Sequence, residues 1–359
     1  MSKIKILHQV LDPSGIGGVS TEYRALKNSK LSERYDINAM ILCNPHRGIN
    51  MYDIKFYYKH ICKYKPDIIH IRGAALDGLN AVIAAKIYRK AKILVAVHGM
   101  YSDIVHISWF KKWIAKNIVE RMIFSFCDGI SCVCNKITNR KYFDRYRKKM
   151  LPYVYNRIPS FNKENVYVNR TKIRRKYNIG CEDIVFSFIG RLTIEKGIDD
   201  MFSALDLIQD SLPRNFVLLI VGEGDYYEEC KTIAKNKPYR IVFVGYQPNI
   251  EPFYQATDVF LLPSLHENHS ISLLEACAAE LPCIVTDCGG NSETIKNEVT
   301  GLIVPVGDIV KIAEAILRML NKDFRDKCNE NHKQTDYKQF SNESCDSSLD
   351  LVYKEILKL

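Results

Sequence analysis

The sequence predicts an α/β protein of two domains, each built around a doubly wound parallel sheet. Short apolar runs alternate with helix-length amphipathic segments along almost all of the 359 residues. Such alternation is typical of a parallel sheet that is covered by helices on both faces. The apolar runs fall into two groups, and a chain of this length has room for two domains of ordinary size.

The two groups contain six predicted strands each. The first group lies at 3–10, 36–42, 67–71, 92–97, 129–133 and 151–154. The second group lies at 183–189, 216–221, 240–244, 258–261, 282–286 and 301–304. The segment 155–169 lacks apolar periodicity and is rich in turn-forming residues, which predicts an interdomain connection. We therefore predict an amino-terminal domain over 1–160, a carboxy-terminal domain over 161–339, and a terminal helix over 340–359 that packs back on the amino-terminal domain.

Composition favours a soluble protein of the cytoplasm. The apolar share is 47% and the charged share 26%, and no run of about 18 apolar residues is present. The first ten residues alternate apolar and polar, which predicts a strand rather than a secretory signal. Without such a signal, the 12 cysteines are expected to be reduced.

The net charge of +10 would suit nucleic acid, an anionic membrane surface or a phosphorylated substrate. Nucleic acid is the least favoured partner, because neither zinc-finger spacing nor an aromatic RNA-binding signature occurs. The closest cysteine pair, Cys132 and Cys134, has no second pair at zinc-binding spacing, so we predict no metal site.

Loops that follow strands are the expected location of the chemistry, since open α/β sheets bind ligands at the carboxyl ends of their strands. The first such loop contains Gly17 and Gly18 just before a predicted helix, an arrangement that can bring backbone N–H groups close to an anion. It could equally be a flexible turn. His98 ends a strand in the second loop and could contact a sugar hydroxyl or be satisfied by the backbone.

Two cations stand close together after the strand at 183–189. Arg191 offers a planar fork of donors and Lys196 a mobile point charge, and together they suit a diphosphate. The alternative is that Lys196 forms a surface ion pair with Glu195 or Asp199.

Two carboxylates bracket the start of a helix predicted over about 270–279. Glu267 lies before it and could accept hydrogen bonds from sugar hydroxyls, whereas Glu275 lies about a turn inside and could hold a ribose. The first N–H groups of the helix, near Ile271 and Ser272, would meet phosphate. Alternatively, Glu275 is simply an exposed helix residue.

These loops together resemble the retaining glycosyltransferases of family 4, which have the GT-B fold of two facing Rossmann-like domains with a cleft between them. The resemblance lies in the order and spacing of 17–19, 97–99, 188–197, 221–224, 243–246 and 267–275. It covers nearly the whole chain and is most specific from about 187 to 295.

The resemblance implies a role for each matching residue. It implies catalytic roles for Arg191, Lys196, Glu267 and His98. It implies donor binding by Gly17, Gly18, Tyr246, Gln247, His269, Ser270, Ile271, Ser272 and Glu275. One departure is that Asn268, His269 and Ser270 stand where the family commonly has small or apolar residues. His269 could therefore bind a sugar hydroxyl or point to solvent.

The implied reaction is transfer of a hexose or N-acetylhexosamine, with retention of anomeric configuration. The donor would be a nucleotide-diphosphate sugar, with UDP favoured, and the acceptor a glycan or lipid-linked molecule of bacterial capsule, O-antigen or lipopolysaccharide synthesis. The family requires no metal or other cofactor, and the sequence has no Asp-x-Asp motif. Competing hypotheses on the same fold are a sugar-nucleotide epimerase, a phosphorylase or a non-catalytic sugar-nucleotide-binding partner.

A basic, aromatic segment in the amino-terminal half is the candidate for acceptor or membrane contact. It contains Trp109, Lys111, Lys112 and Trp113, a composition typical of helices that lie on anionic membranes. Such contact would put the protein at the inner face of the cytoplasmic membrane. The alternative, that the apolar stripe packs on the sheet, is preferred for 118–126.

Overall fold

A computed structural model describes residues 3–11, 18–46 and 48–358. The chain divides into two compact units. Unit 1 comprises Met1–Arg157 together with Lys338–Leu359, and unit 2 comprises Ile158–Tyr337.

The described strands alternate with helices along the chain, as the α/β pattern predicted. The strands are β1 (Lys5–Val10), β2 (Asp36–Ile41), β3 (Ile68–Ala74), β4 (Lys92–Met100), β5 (Gly129–Cys132), β6 (Ile184–Ile189), β7 (Phe216–Val221), β8 (Arg240–Gly245), β9 (Val259–Leu262), β10 (Cys283–Thr286) and β11 (Gly301–Val304).

Helices lie between the strands and at the end of the chain. They are α1 (Gly18–Lys27), α2 (Leu31–Arg34), α3 (Met51–Tyr64), α4 (Leu76–Tyr88), α5 (Trp109–Ile114), α6 (Glu120–Phe126), α7 (Asn135–Thr138), α8 (Val166–Lys176), α9 (Ile198–Leu207), α10 (Tyr227–Ala234), α11 (Glu251–Ala256), α12 (Ile271–Ala278), α13 (Asn291–Thr294), α14 (Ile309–Leu320), α15 (Lys322–Gln334) and α16 (Asn342–Ile356). A π-helical turn, Ala115–Val119, joins α5 to α6. In the part of the chain that is described, none of these helices has the length and apolar character needed to cross a membrane.

The sheet of unit 1 is parallel, with the strand order β2-β1-β3-β4-β5. The prediction of a sixth strand at 151–154 is wrong. Met150 forms an isolated bridge with Ile130, and the N–H groups of Leu151 and Val154 donate to carbonyls of β5. In a regular parallel ladder Tyr153 N–H would donate next, but Val154 N–H does so instead, and this extra residue breaks the pairing.

Successive side chains of these strands enter two different cores, as expected of a sheet covered on both faces. On β4, Ile93 and Val95 pack with α3, α4 and α6, whereas Leu94 packs on the opposite face. That second face is covered by α1 and by α16, whose Val352 and Ile356 are fully buried.

The sheet of unit 2 has six parallel strands in the order β11-β10-β9-β6-β7-β8, as the second group of apolar runs predicted. Its β7 is buried along its whole length, as is typical of a central strand in a parallel sheet. The fold class expected from the sequence is therefore confirmed. The predicted connection at 155–169 already contains the start of α8 at Val166.

Candidate functional site

The loops after β6, β7 and β9 of unit 2 pack tightly on one another. Gly197 has a φ of +67°, and a Cβ there would overlap the carbonyl oxygen of Pro263. Gly222 likewise has a positive φ, and a Cβ there would overlap the carbonyl oxygen of Gly190. Only glycine satisfies both the backbone conformation and the close approach, so these two residues fix the loops against each other.

The packing brings Lys196 and Glu267 together, although they are 71 positions apart. The Lys196 Nζ lies 2.5 Å from Glu267 Oε1, which also accepts a hydrogen bond from Ser264 Oγ at 3.0 Å. The alternative in which Lys196 pairs with Glu195 or Asp199 is wrong. The carbonyl of Glu195 instead accepts from Leu265 N at 2.8 Å, which holds the β9 loop beside the lysine.

Arg191 lies two residues beyond β6, with its backbone fixed and its side chain exposed to solvent. The next residue, Leu192, is fully buried, and its N–H donates to the carbonyl of Glu223 at 3.0 Å. The loop therefore has a rigid anchor next to an accessible guanidinium. This arrangement suits a cation that must meet a ligand from solution.

Helix α12 begins at Ile271, as the sequence predicted. Ser270 caps it, because its Oγ accepts from Leu273 N at 3.4 Å and its carbonyl accepts from Leu274 N at 3.2 Å. Ser270 Oγ also lies 3.0 Å from Ser272 Oγ. Among the described residues, the hydrogen bonds at this helix start do not use the N–H groups of Ile271 and Ser272. The first N–H groups of a helix can bind an anion.

Glu275 is partly buried and held by a tyrosine that the sequence analysis did not single out. The hydroxyl of Tyr254 lies 2.9 Å from Glu275 Oε2 and 3.0 Å from the carbonyl of Ser272. Burial raises the pKa of Glu275 to about 7, and the hydrogen bond from Tyr254 acts in the opposite direction. The carboxylate is therefore neither a freely exposed helix residue nor a fully ionised one at neutral pH.

His269 is buried, so the alternative in which it points to solvent is wrong. Its exposed fraction is 5%, and its Nε2 lies 3.4 Å from Thr294 Oγ1. Burial lowers its pKa to about 3, which leaves the imidazole neutral. Beside it, the carbonyl of Asn268 accepts from Gly290 N at 2.7 Å, which ties this segment to the loop after β10.

Tyr246 and Gln247 directly follow β8, where Gly245 adopts a φ of +76°. The Tyr246 ring is 43% exposed, and Gln247 is partly buried. Both therefore stand at the same edge of the unit 2 sheet as Arg191, since the strands are parallel.

The remaining predicted site residues lie in unit 1. Gly17 falls outside the described residues, and Gly18 is the first residue of α1. His98 stands near the end of β4, where burial, followed by the charge of Arg72, lowers its pKa to about 3. It lines a cavity of about 30 Å³ together with His70, Arg72 and Arg157.

The basic, aromatic segment of unit 1 forms α5 and keeps its apolar side chains in solvent. Trp109, Phe110 and Trp113 are 78%, 55% and 51% exposed. Lys111 is exposed and Lys112 is partly buried. The packing predicted for 118–126 holds for Ile123 and Phe124 but not for Ile118, which is 44% exposed.

Two features of the site escaped the sequence analysis for different reasons. Tyr254 lies in the short helix α11, between Phe253 and Gln255, and no ligand-binding motif surrounds it in the sequence. Ser264 directly precedes the segment that contains Glu267, but only the folded loop shows that its hydroxyl reaches the carboxylate. Among the described residues, no cluster of three or more His, Cys, Asp or Glu side chains could hold a metal ion.

Two sequence families match the chain, one in each unit. The family "Glycosyl transferases group 1" matches residues 169–335, and "Glycosyltransferase Family 4" matches residues 25–141. The first match includes every predicted site residue of unit 2, and the second includes His98 and α5.

Characterised relatives match most of the chain at low identity. N-acetyl-alpha-D-glucosaminyl L-malate synthase of Bacillus anthracis is 27% identical over 298 residues, which are 81% of this chain and 75% of that protein. UDP-Gal:alpha-D-GlcNAc-diphosphoundecaprenol alpha-1,3-galactosyltransferase of Escherichia coli is 27% identical over 360 residues, which are 89% and 88% of the two chains.

Solved structures share the fold over nearly the whole length. HepE of Anabaena, crystallised with UDP and glucose, has a TM-score of 0.74 at 16% identity and covers 98% of this chain and 99% of its own. The lipopolysaccharide outer core galactosyltransferase WaaB, in its apo form, has a TM-score of 0.67 at 17% identity and covers 98% and 100%. The fold of glycosyltransferases that the sequence resemblance implied is thereby confirmed, with one parallel sheet in each unit.

Proposed function

Because this chain belongs to the glycosyltransferases of family 4 and group 1, we propose that it transfers a hexose or N-acetylhexosamine from a UDP-sugar with retention of configuration. The acceptor is a glycan or a lipid-linked molecule of bacterial polysaccharide synthesis. The observation that carries the proposal is the pairing of Lys196 with Glu267 beside the start of α12 in unit 2.

Arg191 and Lys196 act on the diphosphate of the donor. When the bond between the anomeric carbon and the phosphate oxygen breaks, the diphosphate takes the electron pair and gains negative charge. Cations and backbone N–H groups that are already in position stabilise this charge without reorganising, which lowers the barrier. Arg191 is accessible from solvent, and the N–H groups of Ile271 and Ser272 lie at the start of a helix whose dipole favours an anion.

Glu267 has two tasks in this proposal. It holds the Lys196 ammonium at 2.5 Å, with Ser264 fixing the same carboxylate oxygen, and it presents its other oxygen to hydroxyls of the donor sugar. The ion pair keeps the lysine side chain from exploring other rotamers, so less conformational entropy is lost when the diphosphate binds.

Glu275 binds the ribose of the donor, and Tyr246 and Gln247 lie near its base. A carboxylate with a pKa of about 7 is a good acceptor for ribose hydroxyls once it is ionised. Tyr254 holds Oε2 and leaves Oε1 for the ligand. His98 and Gly18 of unit 1 contribute contacts to the transferred sugar and the donor phosphate. His269, buried and neutral, shapes the pocket near the donor sugar together with Ser270.

The proposed reaction uses no metal and no separate base. The two cations and the start of α12 supply the positive charge that a divalent ion would otherwise provide. The departing phosphate oxygen accepts the proton of the acceptor hydroxyl, while the new glycosidic bond forms on the face that the diphosphate leaves.

The test is an activity assay that reads the anomeric configuration of the product. The purified chain is incubated in EDTA with UDP-glucose, UDP-galactose or their N-acetylated forms and with a diphospholipid-linked sugar, and the new linkage is read by NMR. We expect an α-linked product and stoichiometric UDP release. A β-linked product would overturn retention, and phosphate-dependent release of a sugar phosphate would indicate a phosphorylase.

We further propose that α5 brings the protein to the cytoplasmic face of an anionic membrane. Exposed Trp109, Phe110 and Trp113 stand beside lysines, and a groove of about 680 Å³ next to them is lined by Lys112, Lys116 and Arg145 among others. Aromatic rings suit the interface of a bilayer, and each basic residue near an anionic surface contributes roughly 1 kcal/mol.

Vesicle co-sedimentation tests the membrane proposal. Binding to vesicles with anionic lipid is expected, with little binding to zwitterionic vesicles and a clear loss in the double variant Trp109→Ala, Trp113→Ala. Tyr167→Ala removes a 79% exposed aromatic ring from unit 2 and serves as the control. Equal binding by both variants would rule out α5 as the contact.

A further inference from the structure

Unit 1 contains a buried polar cluster on the face of its sheet that α1 and α16 cover. It joins His8 of β1, His70 and Arg72 of β3, and Tyr353 of α16, with exposed fractions of 7% or less. Glu22 of α1 and Arg157 complete it and are equally buried. Titratable groups so far from water are costly unless each is hydrogen-bonded or paired.

The hydrogen bonds of the cluster determine where its protons lie. Arg72 Nε donates to His8 Nδ1 at 3.3 Å, so the proton of neutral His8 is on Nε2, which faces the Tyr353 hydroxyl at 3.3 Å. That hydroxyl then donates to His70 Nδ1 at 3.0 Å. Burial lowers the pKa of both histidines well below the usual value, so both are neutral. The proton of His70 must therefore be on Nε2.

His70 Nε2 is consequently a hydrogen-bond donor, and it is buried without a partner among the described residues. The Nε of Arg157 is in the same situation. Both residues line the cavity of about 30 Å³, and so does Arg72. Three side chains around one small cavity thus offer donors.

The positive charge of Arg72 is only partly compensated, because the charge of Glu22 that acts on it is shared with Arg157. The two nearby carboxylates engage Arg157 instead: Glu22 Oε2 lies 2.5 Å and Asp346 Oδ1 2.6 Å from its two terminal nitrogens. Within the described ranges, no carboxylate forms an ion pair with Arg72. A buried guanidinium in this position is a strong site for an anion.

We propose that this cavity binds a carboxylate group, held by Arg72 and by the N–H groups of His70 and Arg157. A carboxylate accepts hydrogen bonds and carries a negative charge that can pair with the Arg72 guanidinium. A space of about 30 Å³ holds roughly two water-sized groups, which matches two carboxylate oxygens rather than a tetrahedral phosphate.

The carboxylate belongs to the acceptor, a glycan with an acidic sugar. This assignment rests on the proposed function, because it depends on His98, which lines the same cavity and contacts the transferred sugar in that proposal. Binding of a carboxylate by unit 1 does not depend on it, and the two can be tested separately.

The experiment measures thermal stabilisation of the full chain by sodium acetate and sodium glycolate, against sodium chloride and inorganic phosphate at equal ionic strength. We expect saturable stabilisation by the carboxylates only, with affinity at least tenfold lower in Arg72→Met. Arg147→Met, which removes an exposed cation paired with Asp144, is the matched control and should respond like the wild type. Stabilisation by UDP, measured in parallel, reports the proposed function and should not change in Arg72→Met.

The stability of the ligand-free variant separates a ligand site from a structural one. If Arg72 is part of a ligand site, Arg72→Met is as stable as the wild type or more so, because a buried charge without a direct ion-pair partner is removed. A less stable Arg72→Met that acetate stabilises as much as the wild type would overturn the proposal, as would equal stabilisation by phosphate. Should Arg72→Met not fold, Arg72→Lys keeps the charge without the planar fork and should still bind acetate several-fold more weakly.

Discussion

In unit 2, Arg191 and Lys196 stand on a loop just beyond a strand, where solvent and ligands reach them. In unit 1, Arg72 lies within a strand and Arg157 in a buried network that also involves α1 and α16. The first pair can change partners when a ligand arrives, because the loops around it are fixed by glycines and not by the cations themselves. The second pair is part of the interior. Loss of Arg191 and Lys196 should therefore affect activity, whereas loss of a carboxylate that holds Arg157 should affect folding.

The largest expected effect is in the accessible pair. Arg191→Ala combined with Lys196→Ala should lower kcat/KM by at least about 10³-fold, since removal of a single donor to developing charge costs about 10²–10³. The circular dichroism spectrum should stay close to that of the wild type, with a lower melting temperature, because Lys196→Ala leaves the 10% exposed Glu267 carboxylate with Ser264 alone. Lys311→Ala with Lys322→Ala, two exposed lysines on α14 and α15, is the control. Near-normal turnover of the Arg191→Ala, Lys196→Ala variant would contradict the proposal that these two cations bind the diphosphate.

The buried network of unit 1 should show the opposite behaviour. Glu22→Ala leaves Arg157 with Asp346 as its one ion-pair partner. Because the side chains of Arg157 and Glu22 are each 6% exposed, we expect a loss of about 3 kcal/mol in unfolding free energy. Urea unfolding followed by fluorescence measures it. Asp144→Ala, which breaks an exposed pair with Arg147, should change little. Equal effects of the two substitutions would contradict the contrast between buried and accessible pairs.

Gly197, which fixes the loop that carries Arg191 and Lys196, allows a test of whether the position of that loop matters for activity. Gly197→Ala forces a Cβ into the carbonyl of Pro263, so the loop must move, and a shift of about 1 Å can reduce activity about 10²-fold. Gly307→Ala is the matched control, because Gly307 has a similar φ of +74° and no heavy atom lies within 4 Å of its Cβ position. Both variants carry the same backbone strain, so steady-state kinetics of the pair isolates the close approach. Similar activity of the two would show that loop position matters little.

The smallest expected effect concerns the pH dependence of donor binding. The folded pKa of Glu275 is raised to about 7, so its ionisation is unfavourable in the free protein and its charged form appears as pH rises through that value. If only the ionised form accepts ribose hydroxyls, the dissociation constant of UDP should fall about tenfold between pH 6 and pH 8. Isothermal titration calorimetry measures the dissociation constant of UDP for the wild type and for Glu275→Gln at each pH. Subtracting the pH dependence of the variant removes the contribution of the titration of UDP itself. Identical pH profiles of UDP affinity for the wild type and Glu275→Gln would contradict the proposal that Glu275 binds the ribose.

The raised pKa of Glu275 makes the folded protein less stable as pH rises, whereas UDP binding becomes stronger. A carboxyl group that prefers its protonated form when folded stabilises the protein at low pH and loses that contribution as pH rises towards 7. Glu275→Gln should therefore make the ligand-free chain more stable at pH 8 while it weakens UDP binding. A residue kept for binding rather than for folding has this signature.

Sequence reasoning worked best where function depends on neighbours along the chain. The loop 190–197 and the segment 267–275 each follow an apolar strand, so their position at the sheet edge follows from strand periodicity alone. It failed for 151–154, where the apolar residues resemble a strand but the backbone donors pair irregularly with β5. Apolar content indicates burial, and the backbone donors decide whether a strand forms.

Sites that are assembled from segments distant in the chain could not be predicted from the sequence. The polar cluster of unit 1 draws on β1, α1, β3, Arg157 and α16, and no spacing in the sequence indicates that His8, His70 and Tyr353 share one network. Tyr254 and Glu275 come from different helices, α11 and α12, and meet only through tertiary packing. The pairing of Lys196 could not be predicted for the same reason, because the alternative named only nearby acids and Glu267 lies 71 positions away.

Isothermal titration of the full chain with UDP, GDP and ADP in EDTA tests the central claim most directly, namely that the loops of unit 2 bind a nucleotide diphosphate without metal. We predict saturable binding of UDP, weaker binding of the other two, and at least a tenfold loss of UDP affinity both in Glu275→Ala and in the Arg191→Ala, Lys196→Ala double variant. Failure of all three nucleotides to bind, or an unchanged UDP affinity in both variants, would contradict it.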